Sequence, residues 1–155
     1  MDDQQLYFED IPLNRPFVTT GRTVTEADVA GFAGLSGDFN PLHVDAHYAA
    51  TTPFGGRIAH GMLVLSSASG MTTRLPILLA LNRSLLGMTE VTCRWPAPTR
   101  IGDSLRVELT FTDKSLTRSG TRGMVTEHRR VLNQASTVVL ESEWKLLVAT
   151  RDPQR

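Results

Sequence analysis

A carboxylate, a proline and an imidazole lie close together in the chain, at Asp38, Pro41 and His43. Asp38 and His43 are five positions apart, which places them about 140° apart on a helix and on opposite faces of a strand. The dipeptide Asn40-Pro41 requires a bend, because proline fixes its own φ and moves the preceding residue out of the helical region. A bend allows both side chains to face one point, as shared acid–base chemistry would require.

The same residues have a purely structural interpretation. Asn and Asp are common in turns because they hydrogen-bond the nearby backbone, and most histidines have no catalytic role. The following segment, His60-Gly61-Met62, favours a site. It begins an apolar helix, whose first amides are unpaired and carry partial positive charge. Gly61 would let a ligand atom approach those amides without an intervening side chain.

Composition limits the classes of function. The 155 residues predict one domain, 1–155, with a core at about 16–149 and short polar tails that include a frayed 151–155. Sixteen basic and sixteen acidic residues balance, so we expect neither nucleic acid nor membrane as a partner. Cys93 is the only cysteine, which excludes an intrachain disulfide and fits a cytoplasmic protein. The acidic N-terminus is unlike a secretory signal, and no apolar stretch is long enough to span a membrane.

The periodicity of the chain changes at its midpoint. The first half predicts a strand at 16–24, a helix from Ala27 to Leu35, and a core helix from His60 to about Leu75. Thr25 would cap the first helix, Gly37 would end it, and Asp45 would cap another short helix. The second half predicts strands at Met88–Trp95, Ser104–Leu116, Gly123–Leu132 and Ser136–Val148. Helices followed by antiparallel strands indicate an α+β fold, while 77–87 could be a helix or a flap.

The motif Gly37-Asp38-Phe39-Asn40-Pro41-Leu42-His43, followed by His60-Gly61-Met62 and Ser69-Gly70, resembles that of MaoC-like (R)-specific enoyl-CoA hydratases. Pro96 to Val107, with Gly102-Asp103, is similar to the family's strand–turn–strand. The similarity covers roughly Thr20 to Val148. It implies a hot-dog fold, in which a curled antiparallel sheet wraps a long central helix, and a homodimer or a dimer-based oligomer.

The resemblance also implies reversible hydration of a trans-2-enoyl-CoA to the (R)-3-hydroxyacyl-CoA, with no metal and no cofactor besides the coenzyme A of the substrate. Asp38 and His43 would activate one water, the Gly61 amide would polarise the thioester carbonyl, and Ser69 would support the pair. We expect substrate contacts from Asn40, Phe39, His60 and Met62, although His60 also fits an inward-facing structural role. Asp45 fits a helix cap better than a catalyst.

Two features leave alternatives open. Residues 75–87 lack the short Gly-rich turn of close relatives, so the acyl-chain preference is undetermined. Five arginines are candidates for contacts with the phosphates of coenzyme A and equally fit solvated surface residues: Arg57, Arg74, Arg83, Arg94 and Arg100. A hot-dog acyl-CoA thioesterase and a non-catalytic acyl-CoA-binding subunit are the alternative functions.

Overall fold

The computed structural model describes residues 5–151. The helices are a 3-10 helix (Phe8–Asp10), α1 (Glu26–Ser36), α2 (Pro41–Val44), α3 (Ala46–Ala50), α4 (Gly61–Thr72) and α5 (Pro76–Leu81). The strands are β1 (Pro16–Val18), β2 (Arg22–Thr23), β3 (Leu85–Arg94), β4 (Ser104–Leu116), β5 (Arg122–Leu132) and β6 (Val138–Ala149). Most helices precede the long strands, and the predicted α+β class is confirmed.

One antiparallel sheet is built around β4, β5 and β6, which follow each other in both sequence and space. β4 also pairs with β1 and β2, and β6 pairs with β3 at the other edge. Along β5, alternate residues are buried, as a sheet with one covered face requires. The core helix α4 covers that inner face, and its buried Leu63, Val64 and Ala68 belong to one apolar cluster with β4, β5 and β6 residues.

Both predicted boundaries of the core helix differ from the structure. The core helix was expected to run from His60 to about Leu75, but it ends at Thr72, and His60 lies just outside it as the N-cap. Leu75 has extended backbone (ψ 135°) because it precedes Pro76, and Pro76 then opens α5 at a position where its missing N–H costs nothing. The undecided segment 77–87 is therefore a short helix followed by the start of β3.

Strand limits also differ from the predictions. The single strand expected at 16–24 is two short pieces, β1 and β2, which pair with separate parts of β4. The last strand begins at Val138 and not at Ser136, whose φ of 61° belongs to the preceding turn.

The packed region extends beyond the predicted core limits of 16–149. Phe8 and Ile11 are buried in a second apolar cluster, together with Phe111 of β4. Arg151, expected in the frayed tail, donates from its backbone N–H to Glu9 and from its guanidinium to Asp10. The rest of that predicted tail, 152–155, lies outside the described residues. Within 5–151, no helix has the length and apolar character needed to cross a membrane.

Candidate active site

The bend between Asp38 and His43 is built by three local signals. Gly37 ends α1 in the left-handed region (φ 76°), where glycine has no steric cost. Asn40 then adopts extended backbone, and its side-chain oxygen accepts a hydrogen bond from the Leu42 amide at 3.0 Å. Pro41 occupies the first position of α2. The predicted bend is confirmed, and its cause is an N-capped helix that starts at the proline.

The start of α1 is fixed by Thr25, which is the predicted N-cap and which also forms a capping box with Asp28. The Asp28 carboxylate accepts hydrogen bonds from the Thr25 backbone N–H and hydroxyl, each at 2.8 Å. The backbone hydrogen bond is the main reason that the pKa of Asp28 is lowered, and the nearby Arg22 guanidinium adds to the effect. The helix that leads into the bend therefore has a defined beginning and end.

The bend brings three titratable side chains together. One ligand-type atom each from Asp38, His43 and His60 lies within 4.8 Å of the others. Asp38 is exposed, His43 is half-buried and His60 is buried. The expected meeting of Asp38 and His43 is therefore observed, at a position that solvent reaches.

Hydrogen bonding to the backbone defines the tautomer of His43. Its Nδ1 lies 2.8 Å from the carbonyl oxygen of Ile58. A carbonyl oxygen only accepts, so Nδ1 carries the proton and, in the neutral imidazole, Nε2 keeps a lone pair. An imidazole in this state can take a proton from water. Sequence reasoning missed the part played by Ile58, since the contact depends on a carbonyl fifteen residues away.

His60 is held more tightly than the other two residues of the cluster. Its side chain is 2% exposed, and its Nε2 lies 3.0 Å from the backbone carbonyl oxygen of Asp38. Its ring centroid is 3.9 Å from that of His43 and 5.0 Å from that of Phe32. Such burial leaves almost no surface for a substrate, so the structural role fits His60 better than the predicted substrate contact.

The start of α4 is covered by an indole ring. Trp95 donates from Nε1 to the Gly61 carbonyl oxygen at 3.0 Å. A Cβ atom on Gly61 would lie 3.0 Å from the same ring, closer than side chains normally approach. Trp95 was predicted only as the end of a strand, and its position before Pro96 gave no signal of this contact. The approach of Trp95 therefore favours glycine at 61, in addition to the predicted approach of a ligand.

The other predicted site residues differ in exposure and in hydrogen bonding. Phe39 and Met62 are 62% and 53% exposed, so both offer apolar surface. The side-chain oxygen of Asn40 caps α2, which leaves its amide nitrogen for another partner.

Ser69 is half-buried about two turns beyond Gly61 on α4. Within residues 5–151 its hydroxyl forms no hydrogen bond to Asp38 or His43, and its supporting role stays a prediction. Asp45 caps α3, as expected.

Most of the arginines considered for phosphate contacts have protein partners. Arg57 pairs with Glu26, Arg94 pairs with Glu141, and Arg100 donates to the Phe54 carbonyl oxygen at 2.8 Å. Arg74 lines a cavity of about 430 Å³ beside α4, and Arg83 is exposed. Arg74 and Arg83 therefore remain the candidates whose guanidinium groups are better placed to meet a ligand.

Asp38, His43 and His60 are of residue types that bind transition metals. The geometry does not favour a shared ion. The two imidazole rings are tilted by only 30° at 3.9 Å, so their lone pairs point side by side and do not converge. One nitrogen of each ring is also held by a backbone carbonyl. The arrangement fits a water molecule between an acid and a base better than a metal.

Comparison with known proteins identifies the family. The model of the MaoC-like domain matches residues 10–132. The chain belongs to the MaoC-like domain family. The (R)-specific enoyl-CoA hydratase of Rhodospirillum rubrum is 37% identical over 94% of this chain and 93% of its own length. The 3-hydroxybutyryl-CoA dehydratase of Methylorubrum extorquens is 40% identical over 67% of this chain and 62% of its own length.

Solved structures agree with this family assignment. A MaoC-like dehydratase from Rhodospirillum rubrum superposes with a TM-score of 0.84 at 30% identity, covering 95% of this chain and 99% of that one. A Mycobacterium tuberculosis protein described as a double hotdog fold gives a TM-score of 0.80 at 18% identity, over 100% of this chain and 47% of that one. The second likeness concerns the fold alone, and it confirms the predicted hot-dog architecture.

Proposed function

We propose that this protein is a hydro-lyase that adds water to a trans-2-enoyl-CoA to give the (R)-3-hydroxyacyl-CoA, or that catalyses the reverse dehydration. Relatives that bear the names (R)-specific enoyl-CoA hydratase and 3-hydroxybutyryl-CoA dehydratase support this reaction. The observation that carries the proposal is that Asp38 and His43 meet at an accessible position. They lie next to His60, which is the N-cap of α4.

Each chemical step has a group that can perform it. His43 Nε2 takes a proton from a water held between it and Asp38, and the water oxygen bonds to Cβ of the enoyl group. The electron pair of the double bond moves toward the thioester oxygen, and the Gly61 amide stabilises that negative charge. The pair then delivers a proton to Cα, so that H and OH have been added. No electrons are exchanged with another reactant.

General principles give the size of these contributions. A positioned acid–base pair typically accelerates a reaction by about 10²–10⁴-fold. One oxyanion donor contributes roughly 3–4 kcal/mol. The macrodipole of α4, a helix of 12 residues, favours negative charge at this end. We include Ser69 as support for the pair and Phe39, Asn40 and Met62 as substrate contacts.

Two substitutions test the reaction. Asp38→Asn and His43→Gln should each reduce hydration of crotonyl-CoA by at least about 10²–10⁴-fold, because each removes one member of the acid–base pair. Both should melt near the wild-type temperature, since neither side chain is fully buried. Asp45→Asn is the matched control, because Asn caps a helix as well as Asp does. Full activity in either site variant, or an (S)-configured product from the wild type, would refute the proposal.

The same assay separates the alternatives. A thioesterase would release the free thiol of coenzyme A, which a thiol reagent detects, whereas hydration leaves the thioester intact. A non-catalytic subunit would bind acyl-CoA and turn over no member of an enoyl-CoA panel. The acyl chain that reacts fastest in that panel would define the substrate, and the panel should include acyl carrier protein thioesters.

We propose in addition that the protein forms a homodimer. β3 lies at the edge of the sheet, and within residues 5–151 it pairs with β6 alone. This edge exposes Leu85, Leu86 and Met88, which are apolar residues that a second copy could cover. A sedimentation mass of one chain, 17.1 kDa, would refute the dimer.

The cytoplasm is the proposed location, because the single cysteine, Cys93, needs no oxidising compartment.

A further inference from the structure

We propose that His60 is a positioning residue that fixes the acid and the base to the start of α4. This inference rests on the proposed function, and it replaces the substrate contact that the sequence suggested for His60. The residue touches neither water nor substrate in this role. It acts through the backbone of Asp38 and through the ring of His43.

The first contact fixes the carboxylate-bearing residue. His60 Nε2 lies 3.0 Å from the Asp38 carbonyl oxygen, which can only accept, so Nε2 carries the proton. The donor is 22 residues away from its acceptor and reaches it from outside the bend. Within that bend, Asp38 is held only by hydrogen bonds between neighbours, such as the Asn40 amide to Asp38 Oδ1 at 3.2 Å. His60 is therefore the anchor that ties the bend to the buried core.

The second contact fixes the imidazole. The rings of His60 and His43 have centroids 3.9 Å apart, and the Phe32 ring of α1 packs against His60 from 5.0 Å. His43 Nδ1 is already tied to the Ile58 carbonyl oxygen. The ring of His43 is thus held at one nitrogen and at one face, and its Nε2 is left for chemistry.

The third feature is the place of His60 in the chain. It is the N-cap of α4, yet its side chain makes no capping hydrogen bond. The usual N-caps, Ser, Thr, Asp and Asn, would direct an oxygen at the second or third amide of the helix. The histidine side chain is directed to Asp38 and makes no hydrogen bond to the first amides of α4. One residue therefore links the acid, the base and the oxyanion donor.

The two nitrogens of the His60 ring distinguish this role from simple packing in the core. His60 Nδ1 is buried and has no hydrogen-bond partner within the described residues. Leaving a polar atom buried without a partner is unfavourable, and an apolar ring would avoid that cost. The polar ring is useful at this position because its other nitrogen donates to Asp38.

Substitutions that keep or remove this donor test the inference. The side-chain nitrogen of Gln reaches about as far as Nε2 of His, so His60→Gln should retain most of kcat. His60→Phe keeps a ring beside His43 and removes the donor. It should lower kcat by about 10²-fold, the typical result of a misplacement of about 1 Å, with KM little changed. Phe32→Leu is the matched control, because it alters the packing of the His60 ring and leaves the donor in place.

Nitrogen NMR of the imidazoles in the wild-type protein provides a second test, which does not depend on activity. His60 should be protonated on Nε2 and His43 on Nδ1. His60 protonated on Nδ1, an unchanged kcat in His60→Phe, or a loss confined to KM would each overturn the positioning role. If His60→Phe does not fold, His60→Asn replaces it, because the shorter amide does not reach the Asp38 carbonyl. Wild-type protein that shows the expected tautomers but hydrates no enoyl-CoA would overturn the proposed function alone.

Discussion

Gly61 shows how a single missing side chain serves both packing and chemistry. The indole of Trp95 rests against the space where a Cβ would lie, and it donates to the Gly61 carbonyl oxygen. The same backbone unit begins the helix whose amides receive the enolate charge in the proposed reaction. Any side chain at 61 would therefore displace Trp95 by a few tenths of an ångström, tilt the start of α4, or do both.

We expect Gly61→Ala to lower kcat by about tenfold, since a misplacement of about 1 Å typically costs about 10²-fold and the displacement here is smaller. Initial rates with crotonyl-CoA measure the loss of activity, and the change in tryptophan fluorescence relative to Gly70→Ala reports the displacement of Trp95. Gly70→Ala is the matched control: Gly70 lies on the same helix, and a Cβ there meets no atom within 4 Å. Equal activity in the two alanine variants would show that Trp95 places no restriction on residue 61.

The N-terminal segment is an element whose importance is not evident from its polar composition. Its 3-10 helix packs Phe8 directly onto Gly123 of β5, where a Cβ would come within 2.2 Å of the Phe8 ring. Lys114 Nζ donates to three carbonyl oxygens of the segment, those of Phe8, Glu9 and Ile11. The segment thereby covers the second apolar cluster at the end of the inner face.

A double-mutant cycle tests this contact. Gly123→Ala should reduce the free energy of unfolding by about 1–3 kcal/mol through overpacking. Phe8→Ala should reduce it by about 3–5 kcal/mol, because a buried aromatic ring is lost. In the Phe8→Ala background, Gly123→Ala should cost little, since the ring that it would displace is gone. Chemical denaturation of the four proteins gives the coupling, and strictly additive effects would contradict the contact.

The whole molecule contains a buried ion pair that hydrophobic packing does not explain. Glu127 and Arg129 of β5 are 0% and 4% exposed and lie between the two apolar clusters on the inner face. Arg129 donates twice to Glu127 Oε2, at 2.8 and 2.5 Å, and its guanidinium carbon lies 4.1 Å from the Trp144 ring centroid. Glu127 Oε1 and Arg129 Nη1 have no partner within residues 5–151. Burial raises the pKa of Glu127, and the charge of Arg129 offsets part of that rise.

This pKa shift predicts the direction in which stability depends on pH. Because the pKa of Glu127 is raised above 4.5 on folding, the folded protein holds this proton more tightly than the unfolded chain. The resulting stabilisation is complete below about pH 4.5 and is lost as the pH rises through the folded-state pKa. The free energy of unfolding of the wild type, minus that of Glu127→Gln, should therefore fall with rising pH. Urea denaturation across this range measures the difference, and a difference that rises with pH would contradict the shift.

The sequence by itself determined the features whose causes are local. The N-cap at Thr25, the glycine that ends α1 and the bend at Asn40-Pro41 each depend on neighbouring residues, and all three have the predicted form. The period-two pattern of β4 likewise reports a strand with one covered face. The family motif then indicated which residues form the candidate site.

Only the tertiary structure decided which groups meet across the fold. The hydrogen bonds of His43 to Ile58, of His60 to Asp38 and of Trp95 to Gly61 join residues 15, 22 and 34 positions apart. Periodicity gives the face on which a side chain lies, but it does not give its partner, because the partner depends on how separate elements pack. The tautomers of His43 and His60 follow from those partners. For this reason the residues of the site could be named from the sequence, and their arrangement could not.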